Sequence, residues 1–155
     1  MDAESASGLL LYAEGLIMKF NINDKNALRR FQERNERRIK SFMKMATIEL
    51  YRQLMIVSPV DTGNFRWNWW CQVNGVTTRY ELHENKGIDL NRPITVFSNF
   101  DLKDSLFICN SAPYAKRLNE GWSRQAPARF VEITVSGVQS QINKLVSEAV
   151  REAGE

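Results

Sequence analysis

Among its 155 residues the chain has one histidine, two cysteines, four prolines and eight scattered glycines, and each shortage removes a kind of chemistry. His83 stands in the run His83-Glu84-Asn85-Lys86 with no second imidazole and no carboxylate cluster at ligand spacing, so it reads as a solvated loop histidine rather than part of an acid/base pair or a zinc or nuclease site. Cys71 and Cys109 lie far apart and outside any metal-ligand spacing, which points to buried thiols in a reducing compartment, with a disulfide or a reactive thiol as the alternative. There is no Gly-x-Ser-x-Gly elbow and no glycine cluster ahead of a helix. No enzyme, cofactor or metal is therefore expected. Long apolar runs are missing too. Leu9 to Met18 is broken by Glu14 and preceded by Asp2 and Glu4, so it fits neither a secretory signal nor a membrane span, and a cytosolic site of synthesis follows.

What is present is ordinary globular material: 43% apolar, 25% charged and 10% aromatic residues, enough for one domain. Area scaling lets a chain of this size bury about two-thirds of its surface. The 21 Lys and Arg against 18 Asp and Glu leave +3, which suits a polyanion without demanding one.

Along the chain, residues 1–17 read as an N-terminal appendage, with a short helix over Leu9 to Ile17, ahead of a single α+β domain over residues 18–155. Phe20 and Ile22 alternate with Asn21 and Asn23 like a short strand, and Asp24 can cap a helix. Leu28, Phe31, Asn35, Ile39, Phe42, Ala46 and Leu50 then recur at helical spacing. The period predicts a long helix from about Asn26 to Ile56, roughly 45 Å, stopped by Pro59. Phe65 to Val73 alternates like a strand with one buried face, Asn74-Gly75 suits a tight hairpin turn, and Val76 to Leu82 can return beside it. With Ile94 to Ser98 and Leu106 to Cys109, this gives an antiparallel sheet of about four strands. Pro113 to Gly121 reads as a short helix, and Pro127 is placed to open a C-terminal one. In that last segment Val131, Val135, Val138, Ile142, Leu145 and Ala149 mark a narrow apolar stripe, although Val131, Ile133 and Val135 also alternate like a strand. No internal repeat or low-complexity segment is seen.

Two features could carry contacts. Arg29, Arg30, Arg34, Arg37, Lys40 and Lys44 fall opposite the apolar stripe of the long helix, and residues 24–44 hold eight basic side chains against three acidic. This is either a solvated face, with Glu33 and Glu36 pairing to Arg37 and Lys40 one turn on, or a surface for a polyanion or an acidic protein that reads no base sequence. Four tryptophans are the other feature. Trp67 and Trp69 share the strand's core face; Trp70 points the other way, so that face is covered by a helix of the same subunit or by a neighbour.

Two segments carry a recognisable pattern. One is Ser58-Pro59-Val60-Asp61-Thr62-Gly63-Asn64-Phe65-Arg66. The other is Asn110-Ser111-Ala112-Pro113-Tyr114-Ala115, followed by Leu118, Asn119-Glu120-Gly121 and Ser123-Arg124-Gln125-Ala126-Pro127. In this order the pair resembles the tail-completion or neck proteins of long-tailed bacteriophages, the family that includes minor tail protein Z, over roughly residues 18 to 150. The appendage, Asn64, the Trp-rich strand and the loop Glu84 to Arg92 depart from the pattern. The residues make sense as folding signals. Pro59 stops a helix, Asp61 can close an Asx-turn on its own backbone, Gly63 supplies a conformation closed to other residues, and Pro113 and Gly121 bracket a helix that positions Tyr114. Val60, Thr62, Phe65, Ala115, Gln125 and Pro127 complete the fold-defining set, and Arg66, Tyr114 and Glu120 are open to a second role against a neighbouring subunit. The resemblance implies a structural virion protein, assembled in the host cytoplasm, that completes the tail and joins it to the head. Its partners would be copies of itself in a sixfold ring, a head-completion or connector protein, a tail-tube or tail-terminator protein, and DNA in the channel, contacted without sequence preference. No membrane is implied. On this view Arg30 and Arg34 are expected to matter for head-to-tail joining. The alternative is a non-specific nucleic-acid-binding protein using the basic helix face, with the aromatic strand as a stacking platform.

Overall fold

The computed structural model describes residues 9–13, 16–20, 29, 36–84 and 87–154. In chain order the elements are β1 (Leu9–Ala13), β2 (Leu16–Phe20), α1 (Glu36–Val57), α2 (Asn64–Trp67), β3 (Trp69–Val73), α3 (Asn91–Val96), β4 (Leu106–Asn110), α4 (Ala115–Arg117), a π-helical turn (Leu118–Trp122) and α5 (Phe130–Gly154). The class is α+β.

The expected four-stranded antiparallel sheet does not form from the expected strands. β3 and β4 pair antiparallel, with Trp69 opposite Asn110 and Val73 opposite Leu106. Val76 to Leu82 is not a strand of the sheet, because Asn74 turns the chain toward β4 instead of back on β3. Asn74 takes φ 60°, its N–H donates to Ser105 O, its side-chain oxygen accepts from Ser105 N, and its amide donates to Asp104. The expected strand at Ile94 to Ser98 is likewise replaced by α3. Asp89 accepts from Asn91 N, and Pro93 sits in the first turn, where a helix needs no proline N–H.

The remaining places in the sheet belong to the N-terminal segment, where a helix was expected. β1 and β2 pair antiparallel, and β1 runs parallel to β4 with Leu10 opposite Phe107, giving the order β2-β1-β4-β3. The runs Leu9–Ala13 and Leu16–Phe20, apolar but for Lys19, suit a pair of strands better than a helix of their combined length. The domain boundary expected at residue 17 falls inside β2.

The long helix is described from Glu36; Asp24, Leu28, Phe31 and Asn35 lie outside the described residues. Within α1, Ile39, Leu50, Tyr51, Leu54 and Met55 are buried, while Phe42 and Ala46 pack half-buried on the same core. The C-terminal segment is a helix and not a strand. It starts at Phe130, beyond Pro127, because Arg129 at φ 61° makes the turn into it. Its Val131, Val135, Val138 and Ile142 are buried and α5 packs on α1, whereas Leu145 is 52% exposed. Between these helices and the β3–β4 pair lie Phe65, Trp69, Cys71, Leu106, Ile108 and Phe130, with Phe65 edge-on to both Trp69 and Phe130. A wholly buried leucine such as Leu50 or Leu54 contributes about 2 kcal/mol by removal from water. Both cysteines are free and buried, and burial pushes both thiols up, away from the reactive thiolate form.

Candidate functional site

The two sequence segments that carry the resemblance meet in space. Ser58 closes α1 by donating to Leu54 O, and its hydroxyl accepts from the Trp69 indole N–H at 2.8 Å. Gly63 takes φ 94°, a left-handed conformation unfavourable to other residues, and the chain then makes the single helical turn α2 rather than extending the strand back to Phe65. Val60 N donates to Gln125 Oε1 at 2.7 Å, Asn64 Nδ2 donates to Tyr114 OH at 2.8 Å, and the rings of Phe65 and Tyr114 lie 6.2 Å apart. Asn110 completes the join by donating to Phe65 O at 2.9 Å. Burial raises the Tyr114 hydroxyl's pKa, against the opposing effect of the Asn64 amide that donates to it.

Asparagines hold this junction. Asn68, fully buried, accepts from Glu81 N and donates to the carbonyls of Glu81 and Asn64, at 2.7 to 2.8 Å, so its amide substitutes for a strand partner. Asn64 accepts from His83 N at 2.9 Å and also donates to Tyr80 OH. Asn119 anchors the second segment by accepting from Val131 N and donating to Glu132. Sequence reasoning missed Asn68 and Asn119 as organising residues and counted Asn64 only as a departure. Asparagine is depleted in strands, so Asn64 and Asn68 at spacing four inside an aromatic run were the available signal.

The second face of the β3–β4 pair is covered by the chain itself, by the short helix α3, which supplies Arg92, together with the segment that carries Arg79, instead of by a long helix. Trp70, 8% exposed, lies between two guanidinium groups, with Arg79 4.2 Å and Arg92 3.9 Å from its ring centre. Arg92 also sits 4.9 Å from Trp67, donating to the carbonyls of Trp67 and Trp69. Trp67 belongs to α2, not to the strand's core face, and its other side carries His83, stacked at 3.8 Å. His83 is therefore half-buried in a stack that runs Arg79, Trp70, Arg92, Trp67, His83, and not a solvated loop residue. Each contact of this kind contributes about 0.5 to 2 kcal/mol, more where water is excluded.

The basic helix face is less of a unit than its spacing suggests. Arg29 and Arg37 are exposed and Lys44 is half-exposed, but Lys40 pairs with Asp101 at 2.9 Å instead of with Glu36; Arg30 and Arg34 lie outside the described residues. Arg66 reaches back to Ile56 O, and partial burial lowers its pKa. Asp61 and Thr62 are exposed, Pro59 is buried, and Ala115 packs in the core. Pro113, Pro127 and Glu120 are exposed, with Lys116 3.9 Å from the Glu120 carboxylate. The short helix expected over Pro113 to Gly121 is α4 plus the π-helical turn. Gly121 takes φ 97° there, and a Cβ on it would stand 2.9 Å from Ala128 Cβ. The same turn presents Trp122, 74% exposed, with the Arg117 guanidinium 5.5 Å from its ring.

Among the described residues no group of three His, Cys, Asp or Glu side chains could hold a metal ion, and no helix is long and apolar enough to cross a membrane. Comparison with protein-family models, with curated proteins and with solved structures gives no match to this chain.

Proposed function

We propose that the protein is a structural component of a phage neck, completing the tail and joining it to the head as one subunit of a sixfold ring, and acting through shape rather than catalysis. The observation that carries this reading is the junction of Ser58–Arg66 with Asn110–Pro127. Segments about fifty residues apart in sequence are pinned by Val60 to Gln125, Asn64 to Tyr114 and Asn110 to Phe65, and the turn they build holds an exposed tryptophan beside an arginine. Trp and Arg side chains are enriched among the anchors of protein contacts. The partners are copies of the chain, a connector-side protein and a tail-side protein; the location is the virion.

The test is loss of the coding sequence from the particle that carries it. Filled heads and separate, uncapped tails should accumulate, and micrographs of complete particles should place the protein at their junction. Normal joined particles from which the protein is absent would refute the reading. Nucleic-acid binding through an aromatic strand is the less favoured alternative, because Trp70 is already covered on its ring by Arg79 and Arg92 and offers no free surface for a base.

A further inference from the structure

Residues 76–84 run extended without belonging to the sheet, and their backbone is bonded along one edge only. Glu81 N donates to Asn68, His83 N to Asn64, Glu81 O accepts from Asn68, and Thr77 O accepts from Ser111 Oγ at 2.8 Å. Arg79 N is taken by the Thr77 hydroxyl. All of these are odd positions. Among the described residues nothing bonds to the backbone of Thr78, Tyr80 or Leu82, whose N–H and C=O groups lie on the opposite edge of an extended chain. Thr78 is exposed and Leu82 is 85% exposed. An unpaired edge with an apolar side chain beside it is a template for another strand.

We infer that residues 77–83 pair antiparallel with the same segment of a second copy, about a two-fold axis at Tyr80. The occupant follows from parity and charge. Only registers that set even positions against even positions join the open groups, since a slip by one residue turns an open edge toward a satisfied one. Among those, centring on Arg79 or on Glu81 would set like charges opposite each other. Arg79 pairs with Glu81 of its own chain, and centring on Tyr80 lays the two ion pairs head to tail, with Arg79 beside Glu81 of the second copy and Leu82 beside Thr78, so this register alone is complementary. The contact is two-fold and closes at a dimer. It is a property of the free protein, separate from the neck ring.

The contact is small, and a dissociation constant on the order of 10 µM is expected. Sedimentation of the full chain between about 1 and 300 µM spans that range. The mass should rise from monomer to dimer and stop there, and hydrogen exchange at high concentration should slow the amides of Thr78, Tyr80 and Leu82 while leaving Glu81 and His83 unchanged. Thr78→Pro removes a donor that the monomer does not use, and Leu82→Lys charges the edge; each should weaken the dimer at least about tenfold. A monomer throughout, a mass running past the dimer, or a dimer whose even-numbered amides exchange alike at both concentrations overturns the inference. The exchange result on the unaltered chain decides the matter even if Thr78→Pro misfolds. None of these outcomes bears on whether heads and tails join without the protein, so the two readings fail separately.

Discussion

Replacing Asn68 by alanine tests whether one buried amide ties the covering segment to the fold. The side chain is wholly buried and makes three bonds of 2.7 to 2.8 Å, to Glu81 N, Glu81 O and Asn64 O. Alanine leaves all three backbone groups without that partner. A buried unsatisfied group costs about 1 to 3 kcal/mol, and Glu81 is only half-buried, so water recovers part of the loss; the net expectation is about 3 kcal/mol. For a chain of this size that corresponds to a fall in melting temperature of about 6 to 12 °C. Urea unfolding should show a lower midpoint with an unchanged slope, and the Glu81 amide should lose protection from exchange before the core does. Asn68→Asp sharpens the test. It keeps an acceptor for Glu81 N but sets a carboxylate against two carbonyls, so it should be worse than alanine. A loss below about 0.5 kcal/mol for alanine, or an aspartate variant as stable as the original, would refute this account of Asn68.

Arg92→Met should uncover one side of Trp70 and one of Trp67 and strip a donor from two carbonyls, lowering stability by about 2 kcal/mol and shifting tryptophan emission to the red; unchanged emission would count against the stack. Gly121→Ala should cost about 2 kcal/mol by denaturant titration, from left-handed backbone strain and the crowding against Ala128. Asp104 is held below the usual carboxylate range, first by the Asn74 amide and then by Asp101 N. Its contribution is present above the unfolded-state pKa and is lost as pH falls through the lower folded-state value. Asp104→Asn should therefore flatten the acid limb of a stability-against-pH curve, and an unaltered limb would show that the carboxylate is not coupled to folding. Both thiols should resist a thiol-specific reagent in the native protein and react on unfolding; rapid native labelling would contradict their burial.

The long helix, the C-terminal apolar stripe and the β4 strand were legible from sequence, because side-chain periodicity is a local consequence of backbone geometry. Phe65, Val76 to Leu82 and Ile94 to Ser98 misled for a common reason. Alternation of apolar and polar residues reports a segment with two unlike faces, not the partner that makes it a strand. Gly63 turned the first into a helical turn, Asn74 sent the chain past the second, and Pro93 with Asp89 wound the third into α3.

Sequence by itself determined that the chain has one domain's stock of apolar residues and two linked motifs of turn and helix signals. Only the tertiary structure decided that those motifs are a single junction, that arginines and a histidine cover the tryptophans, and that residues 77–83 keep one backbone edge open. Contacts such as Asn68 to Glu81 and Arg92 to Trp70 join residues that no local rule connects. Their geometry exists only once α2, β3 and the covering segment have been brought together by burial of the core.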